Sequence, residues 1–196
     1  MSSGSGESEI MEKPAKLETE RLTLRQWQMS DLEPFAQLNS DSQVMACFPA
    51  PLDRIESDAL ADRCRELIQQ RGWGFWAVEL RETSTFIGFV GLHIPSAELP
   101  FSPCVEIGWR IAVSYWGKGY ATEAANSVLS FGFERLGLQE IVSFTAIGNR
   151  RSRRVMERLG MRDTACDFDH PAVPLGHPLS KHSLYRLSKS DWLSAQ

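Results

Sequence analysis

The chain of 196 residues has little of what would mark a metal, membrane or nucleic-acid protein. Its four cysteines, Cys47, Cys64, Cys104 and Cys166, form no CxxC pair and stand near no histidine at metal-finger spacing. That excludes a zinc-finger framework and suggests reduced thiols, each a small buried hydrophobe, with no metal expected. No apolar run is long enough to span a bilayer, and the polar, acidic first residues lack the hydrophobic stretch of a secretory signal. A cytoplasmic protein with no membrane partner is expected. There is no internal repeat and no Gly-x-x-x-x-Gly-Lys-Ser/Thr loop, which disfavours a phosphate-loop nucleotidase. Nor is there an excess of positive charge: the net charge is −4 and the isoelectric point about 5.6. That argues against nucleic acid as a main partner.

What is present is an ordinary globular composition, 42% apolar and 23% charged, at a length that suits one domain. Residues 1–16 are small, polar and charged and are expected to be disordered; residues 17–196 are expected to form a single domain. Arg21 to Trp27 alternates as a strand, and Ser30-Asp31-Leu32-Glu33 reads as a capping box opening a short helix. A second helix is expected from about Glu56 to Arg71, stopped by Gly72. Extended runs follow at 74–80 and 86–92, joined as a hairpin, and at 104–113. A helix over 121–136, a strand over 140–146, a basic helix over 150–159, a long loop over 164–181 and a last strand over 182–187 complete a mixed α/β fold.

The most telling stretch is Trp116-Gly117-Lys118-Gly119-Tyr120-Ala121-Thr122-Glu123-Ala124, where a strand gives way to a helix. Paired glycines let a backbone turn tightly and aim its N–H groups at a ligand. The first helical turn adds unpaired donors and a positive dipole end. Together they make an anion cradle, most often for a phosphate or pyrophosphate.

Three motifs in order carry a family resemblance: Val105-Glu106-Ile107-Gly108-Trp109, the loop and helix from Tyr115 to Ala124, and Asn149, Ser152, Val155, Leu159 and Gly160 at Asn-x-x-Ser-x-x-Val-x-x-x-Leu-Gly spacing. The block resembles the GNAT superfamily of N-acetyltransferases, nearest the branch of ribosomal-protein N-terminal acetyltransferases, over about residues 17–188. The resemblance implies a mostly antiparallel mixed sheet splayed at an acetyl-CoA site. It implies that acetyl-CoA is bound by Ile111, Ala112, Trp116, Gly117, Lys118, Gly119, Tyr120, Ala121, Thr122, Asn149 and Ser152. Trp116 replaces the family's usual Gln or Arg at the loop's first position. A homodimer is compatible with the family.

The implied reaction is direct acetyl transfer to a primary amine, of a protein N-terminus or a small molecule. It needs a group to take the amine's proton and a way to protonate the departing thiolate. Glu106 is the candidate base or amine-orienting group, against the reading of a salt-bridged carboxylate; on the base reading, Glu106→Gln is expected to lower turnover mainly at low pH. Glu123 is a poorer base, because an acid in a first helical turn merely suits the dipole. The family's frequent acid, a Tyr seven positions after the Asn, is Met156 here. Ser152 is the alternative donor, against a serine bonding back to its own helix. Lys118 and one of Arg150, Arg151 and Arg154 are expected near the cofactor phosphates. Trp76, Glu106 and His170 are candidate acceptor contacts, with Asp167 and Asp169 in the same loop as His170. The competing reading is a CoA-binding sensor of the same fold that has lost the chemistry.

Overall fold

The computed structural model describes residues 14–196. The disorder expected for residues 1–13 lies outside that range. The expected boundary at residue 17 falls too late, because Ala15 is already tied down. Its N–H donates to the Gly72 carbonyl at 2.8 Å, and its own carbonyl accepts from Trp76 Nε1 at 2.8 Å.

One sheet organises the chain. Its strands are β1 (Leu17–Glu18), β2 (Leu22–Arg25), β3 (Phe75–Leu80), β4 (Thr85–His93), β5 (Glu106–Ile111), β6 (Glu140–Ala146), β7 (Arg162–Asp163), β8 (Phe168–Asp169) and β9 (Lys181–Ser188). The spatial order is β1-β2-β3-β4-β5-β6-β9-β7, with β8 also on β9. Every pairing is antiparallel except β5 with β6. A parallel neighbour needs a crossover, and helix α3 (Tyr120–Ser130), extended by a π turn over Phe131–Arg135, supplies it. The other helices are α1 (Leu32–Ser40), α2 (Arg54–Arg71), α4 (Arg150–Arg158) and α5 (Lys189–Ser194).

Local chemistry fixes the ends. Asp53 caps α2 by accepting from Glu56 N–H at 2.8 Å while Glu56 accepts from Asp53 N–H at 2.9 Å, and Gly72 closes the helix at φ 80°. The expected Ser30 capping box does not form. Asp31, buried at 1% exposure, instead accepts from Gln28 N–H at 2.8 Å and receives both terminal nitrogens of Arg25, at 2.7 and 2.9 Å. A short 3-10 turn over Met29–Asp31 then precedes α1. The loop expected over 164–181 contains β8, too short a strand to show a period, and α5 was not anticipated.

Side chains alternate between the faces of a strand. Ile107 and Ile111 of β5, with Trp76, Val90 and Leu92 of its neighbours, are buried on the face covered by α3 through Ala124, Ala125 and Val128. Burying an aliphatic side chain contributes about 1.5–3 kcal/mol, so this packing pins the rotation of β5. The opposite face then receives Glu106, Gly108 and Arg110, in register with His93, Gly91 and Phe89 of β4. Phe89 packs there against Phe35 of α1, with ring centroids 6.0 Å apart.

Candidate active site

β5 and β6 meet only at their beginnings. Their register holds at Glu106 with Val142, where Val142 N–H donates to Val105 C=O at 3.0 Å. Beyond that point Ser143 Oγ donates to Ile107 C=O at 2.9 Å, a side chain standing in where the ladder has stopped. Further along, the alternation of a strand turns the N–H groups of Trp109 and Ile111 into a cleft with no strand opposite. An open strand edge is a template for another extended, amide-bearing chain. Ile111 brings only its backbone to that edge, its side chain being buried in the core. Ala112 offers it no N–H, because that group donates to Ile87 C=O at 2.9 Å on the far side.

The cleft leads to the glycine loop. Gly117 and Gly119 have φ of 74° and 83°, left-handed values that suit glycine. No side chain caps α3. The backbone N–H groups of residues 117–122 donate to no described group of the protein. Donors arranged in this way suit an anion, with the dipole of α3 behind them.

Sequence reasoning missed what holds this loop. Arg21, on the bend before β2, donates Nη1 to the Lys118 carbonyl at 3.0 Å, and a planar trans peptide then turns the Gly119 N–H the opposite way. Arg21 also donates Nε to Glu123 Oε2 at 2.6 Å and stacks 4.5 Å over the Tyr120 ring. Trp116 donates Nε1 to Ile111 C=O at 2.7 Å, bracing the loop against the strand end. The Arg151 guanidinium lies 4.0 Å over its ring and brings a cation beside the loop. Arg153 is turned away, bonded to Tyr185 Oη at 3.0 Å and Asp163 at 3.1 Å.

On the far side of the cleft Asn149 caps α4. Its Oδ1 accepts from Ser152 N–H at 3.2 Å and its Nδ2 donates to Thr145 Oγ1 at 2.9 Å, which leaves one amide hydrogen for a ligand. Ser152 Oγ has no partner among the described residues. Met156 is buried at 1% exposure in the main core, so nothing polar replaces the absent tyrosine from that position.

The two glutamates separate cleanly. Burial alone would raise Glu123, but hydrogen bonds from Thr19, the Arg21 N–H and the Arg21 guanidinium hold its carboxyl below the ordinary value. Glu106 has no such partner among the described residues. It stands at the root of the cleft beside the Phe75 ring, which covers Gly108, and opposite His93. Burial pushes its carboxyl up to about 8. That corrects the expected pH dependence. Below pH 8 the group is largely protonated and cannot accept a proton, so replacing it matters most at high pH, not low.

Two acceptor expectations fare differently. Trp76 is a correction: it is fully buried on the α3 face, its ring 5.3 Å from Phe131, and Phe75, one residue earlier, lies beside Glu106 instead. His170 lies 4.8 Å from His182 and 5.6 Å from Phe144, ring to ring. Phe144 and Val142 share the sheet face of Glu106, so this cluster forms a wall of that face beyond the splay. Burial, then His182, lowers the His170 pKa. Asp167 is exposed and Asp169 pairs with Lys181 at 3.8 Å. Among the described residues no group of three or more His, Cys, Asp or Glu is placed to hold a metal, and no helix is long and apolar enough to cross a membrane.

The acetyltransferase (GNAT) domain family matches residues 21–162. The N-acetyltransferase YnaD of Bacillus subtilis, itself uncharacterised, is 28% identical over 89% of this chain and 97% of its own. YdaF of the same organism, named as a candidate ribosomal N-acetyltransferase, is 28% identical over 88% of this chain and 94% of its own. Among solved structures, a GNAT-family acetyltransferase from Bacillus anthracis superposes with a TM-score of 0.75 at 26% identity, covering 90% of this chain and 99% of that one. With its splayed parallel pair and glycine cradle, the chain belongs to the GNAT acetyltransferase family.

Proposed function

We propose that this chain is a single acetyltransferase domain that moves acetyl from acetyl-CoA directly to a primary amine, with Glu106 taking the amine's proton. The observation that supports the reading is the break in the β5–β6 ladder. The chain runs from it to the N–H groups of residues 117–122, which have no partner among the described residues, and a carboxyl without a hydrogen-bond partner among them stands at the start of β5. In this reading the cradle, with Lys118 and Arg151 beside it, holds the pyrophosphate of acetyl-CoA. The free strand edge of β5 and the remaining Asn149 hydrogen bind the amide-bearing arm. Acetyl-CoA supplies an activated acetyl thioester. Glu106, directly or through one water, removes a proton from the ammonium form of the acceptor; a carboxyl near 8 exchanges protons with a primary amine more evenly than an ordinary carboxyl would. On this reading the Ser152 hydroxyl, which has no partner among the described residues, donates toward the sulfur as it leaves.

YdaF's name makes protein N-termini one acceptor class to test, beside small amines. A thiol-release assay with acetyl-CoA across polyamines, amino acids, aminoglycosides and short peptides tests the reading directly. Turnover on an amine, lost in Glu106→Gln with unchanged CoA affinity, is the expected result. Tight CoA binding with no turnover on any acceptor would mean a sensor.

A further inference from the structure

Arg110 is a second charged group on the Glu106 face, and nothing in the described protein neutralises it. Its Nη1 donates to Asn39 Oδ1 at 2.6 Å, while Nε is buried without any partner. Among the described residues Nη2 makes no hydrogen bond, and no carboxylate forms an ion pair with the guanidinium. Phe48 lies 4.2 Å beneath the guanidinium and Phe89 5.4 Å. Asn39 is itself fixed, fully buried and donating Nδ2 to Ser57 Oγ at 2.9 Å. The surroundings are apolar enough that burial lowers the Arg110 pKa to about 10, with only the Cys64 thiol opposing the shift.

A buried guanidinium without a carboxylate is costly, and the usual remedy is a counter-charge. Elsewhere in this chain the remedy is internal. Arg25, at 11% side-chain exposure, is gripped by Asp31 and Glu79. The planar fork of arginine suits carboxylates and phosphates and makes it the common choice for binding them. Arg110 keeps two of its donor nitrogens, Nε and Nη2, without protein partners.

We propose that Arg110 is an acceptor-binding residue for an anionic group, a carboxylate or phosphate, carried by the amine substrate. Asn39 holds the guanidinium from behind and Phe48 shields the pair from water. Arg110 lies four residues along β5 from Glu106, roughly 13 Å between Cα atoms at ~3.3 Å per residue. The Glu106 carboxyl leans toward Gly108, between the two, so an amine that carries its anion on a short arm, as in a short peptide ending in a carboxylate or an aminoalkyl phosphate, would span them. The proposal rests on acetyl transfer to an amine at Glu106, and its test separates the two.

The test uses oligoglycines of one to four residues as free acids and as C-terminal amides, with aminoalkyl phosphates and the matching alkylamines as a phosphate arm. For the wild type, kcat/KM for the preferred anionic acceptor is expected to exceed that of its neutral match at least 10-fold, mostly through KM. The ratio should fall to near one in Arg110→Met. It should also fall in Asn39→Asp, which places an internal carboxylate against Arg110 and blocks the ligand's, while CoA affinity holds in both. Which arm shows the preference tells carboxylate from phosphate. Calorimetry of the N-acetylated acids, amides and phosphates on the CoA complex reads the same preference without turnover. If no acceptor turns over yet anionic products bind through Arg110, the transferase reading fails while the anion site at Arg110 stands. Neutral acceptors preferred, a preference that survives both substitutions, or no binding of anionic products would overturn it.

Discussion

The two halves of the cleft treat charge in opposite ways. On the glycine-loop side the charges that hold the loop are matched, Arg21 with Glu123 and Glu123 also with Thr19. Left without partners there are the backbone N–H groups of residues 117–122 and, among side chains, the Ser152 hydroxyl. On the acceptor face the backbone is largely engaged and the side chains are left over, Glu106 with a raised carboxyl and Arg110 with an orphaned nitrogen. On the proposed reading, a backbone site for the cofactor and a side-chain site for the acceptor share a single strand.

The strongest way to break the contrast is to remove the acceptor-side carboxyl. Glu106→Gln is expected to lower kcat/KM by about 10²–10⁴ in the thiol-release assay at pH 8.5, with CoA affinity by calorimetry within twofold of the wild type. Next is the cradle. Gly119→Val forces a branched residue into φ 83°, and its Cβ would stand 3.5 Å from the Arg21 guanidinium. Left-handed backbone costs about 1–2 kcal/mol for such a residue, and the displaced N–H groups add to it, so acetyl-CoA affinity should fall at least about 10-fold. Calorimetry reads this, and unchanged affinity would falsify the cradle. Arg21→Met removes the hydrogen bond to Lys118 and should raise KM for acetyl-CoA by a smaller factor, about three- to tenfold, with kcat nearly unchanged.

The smallest effect is on stability. Glu106 titrates higher in the folded chain than it would unfolded, so its favourable share of stability is complete below about pH 4.3 and is lost as pH rises through about 8. Glu106→Gln has no such loss. The variant's melting temperature should match the wild type near pH 4.5 and exceed it by about 3 °C or more at pH 8.5. A carboxyl unpaired for the sake of function predicts that sign; a structural ion pair predicts the reverse.

The sequence made the backbone half legible. The Gly117 and Gly119 spacing, the helix stripe after it and the Asn149 cap are local signals, and each marks its element. The acceptor half depends on long-range packing. Nothing near Arg110 in sequence announces Asn39 or Phe48, which meet it only when α1 and the turn after it fold over β5. Alternation alone does place Arg110 on the Glu106 face. Trp76 was misplaced by one residue because its run is apolar on both faces, so the period of two is masked there. Arg21 was hidden for a different reason: its partners, Lys118 and Glu123, lie about a hundred residues away in the chain. The short β8 and the terminal α5 carry too few residues to show any period.

The most direct measurement is the pH dependence of kcat/KM for the wild type and Glu106→Gln on one amine, from pH 6 to 10. The wild type should rise with a bend near 8, on top of the amine's own titration, and the variant should keep only the amine's limb. A bend near 8 that survives in the variant, or profiles that differ only by a constant factor, would contradict Glu106 as the base.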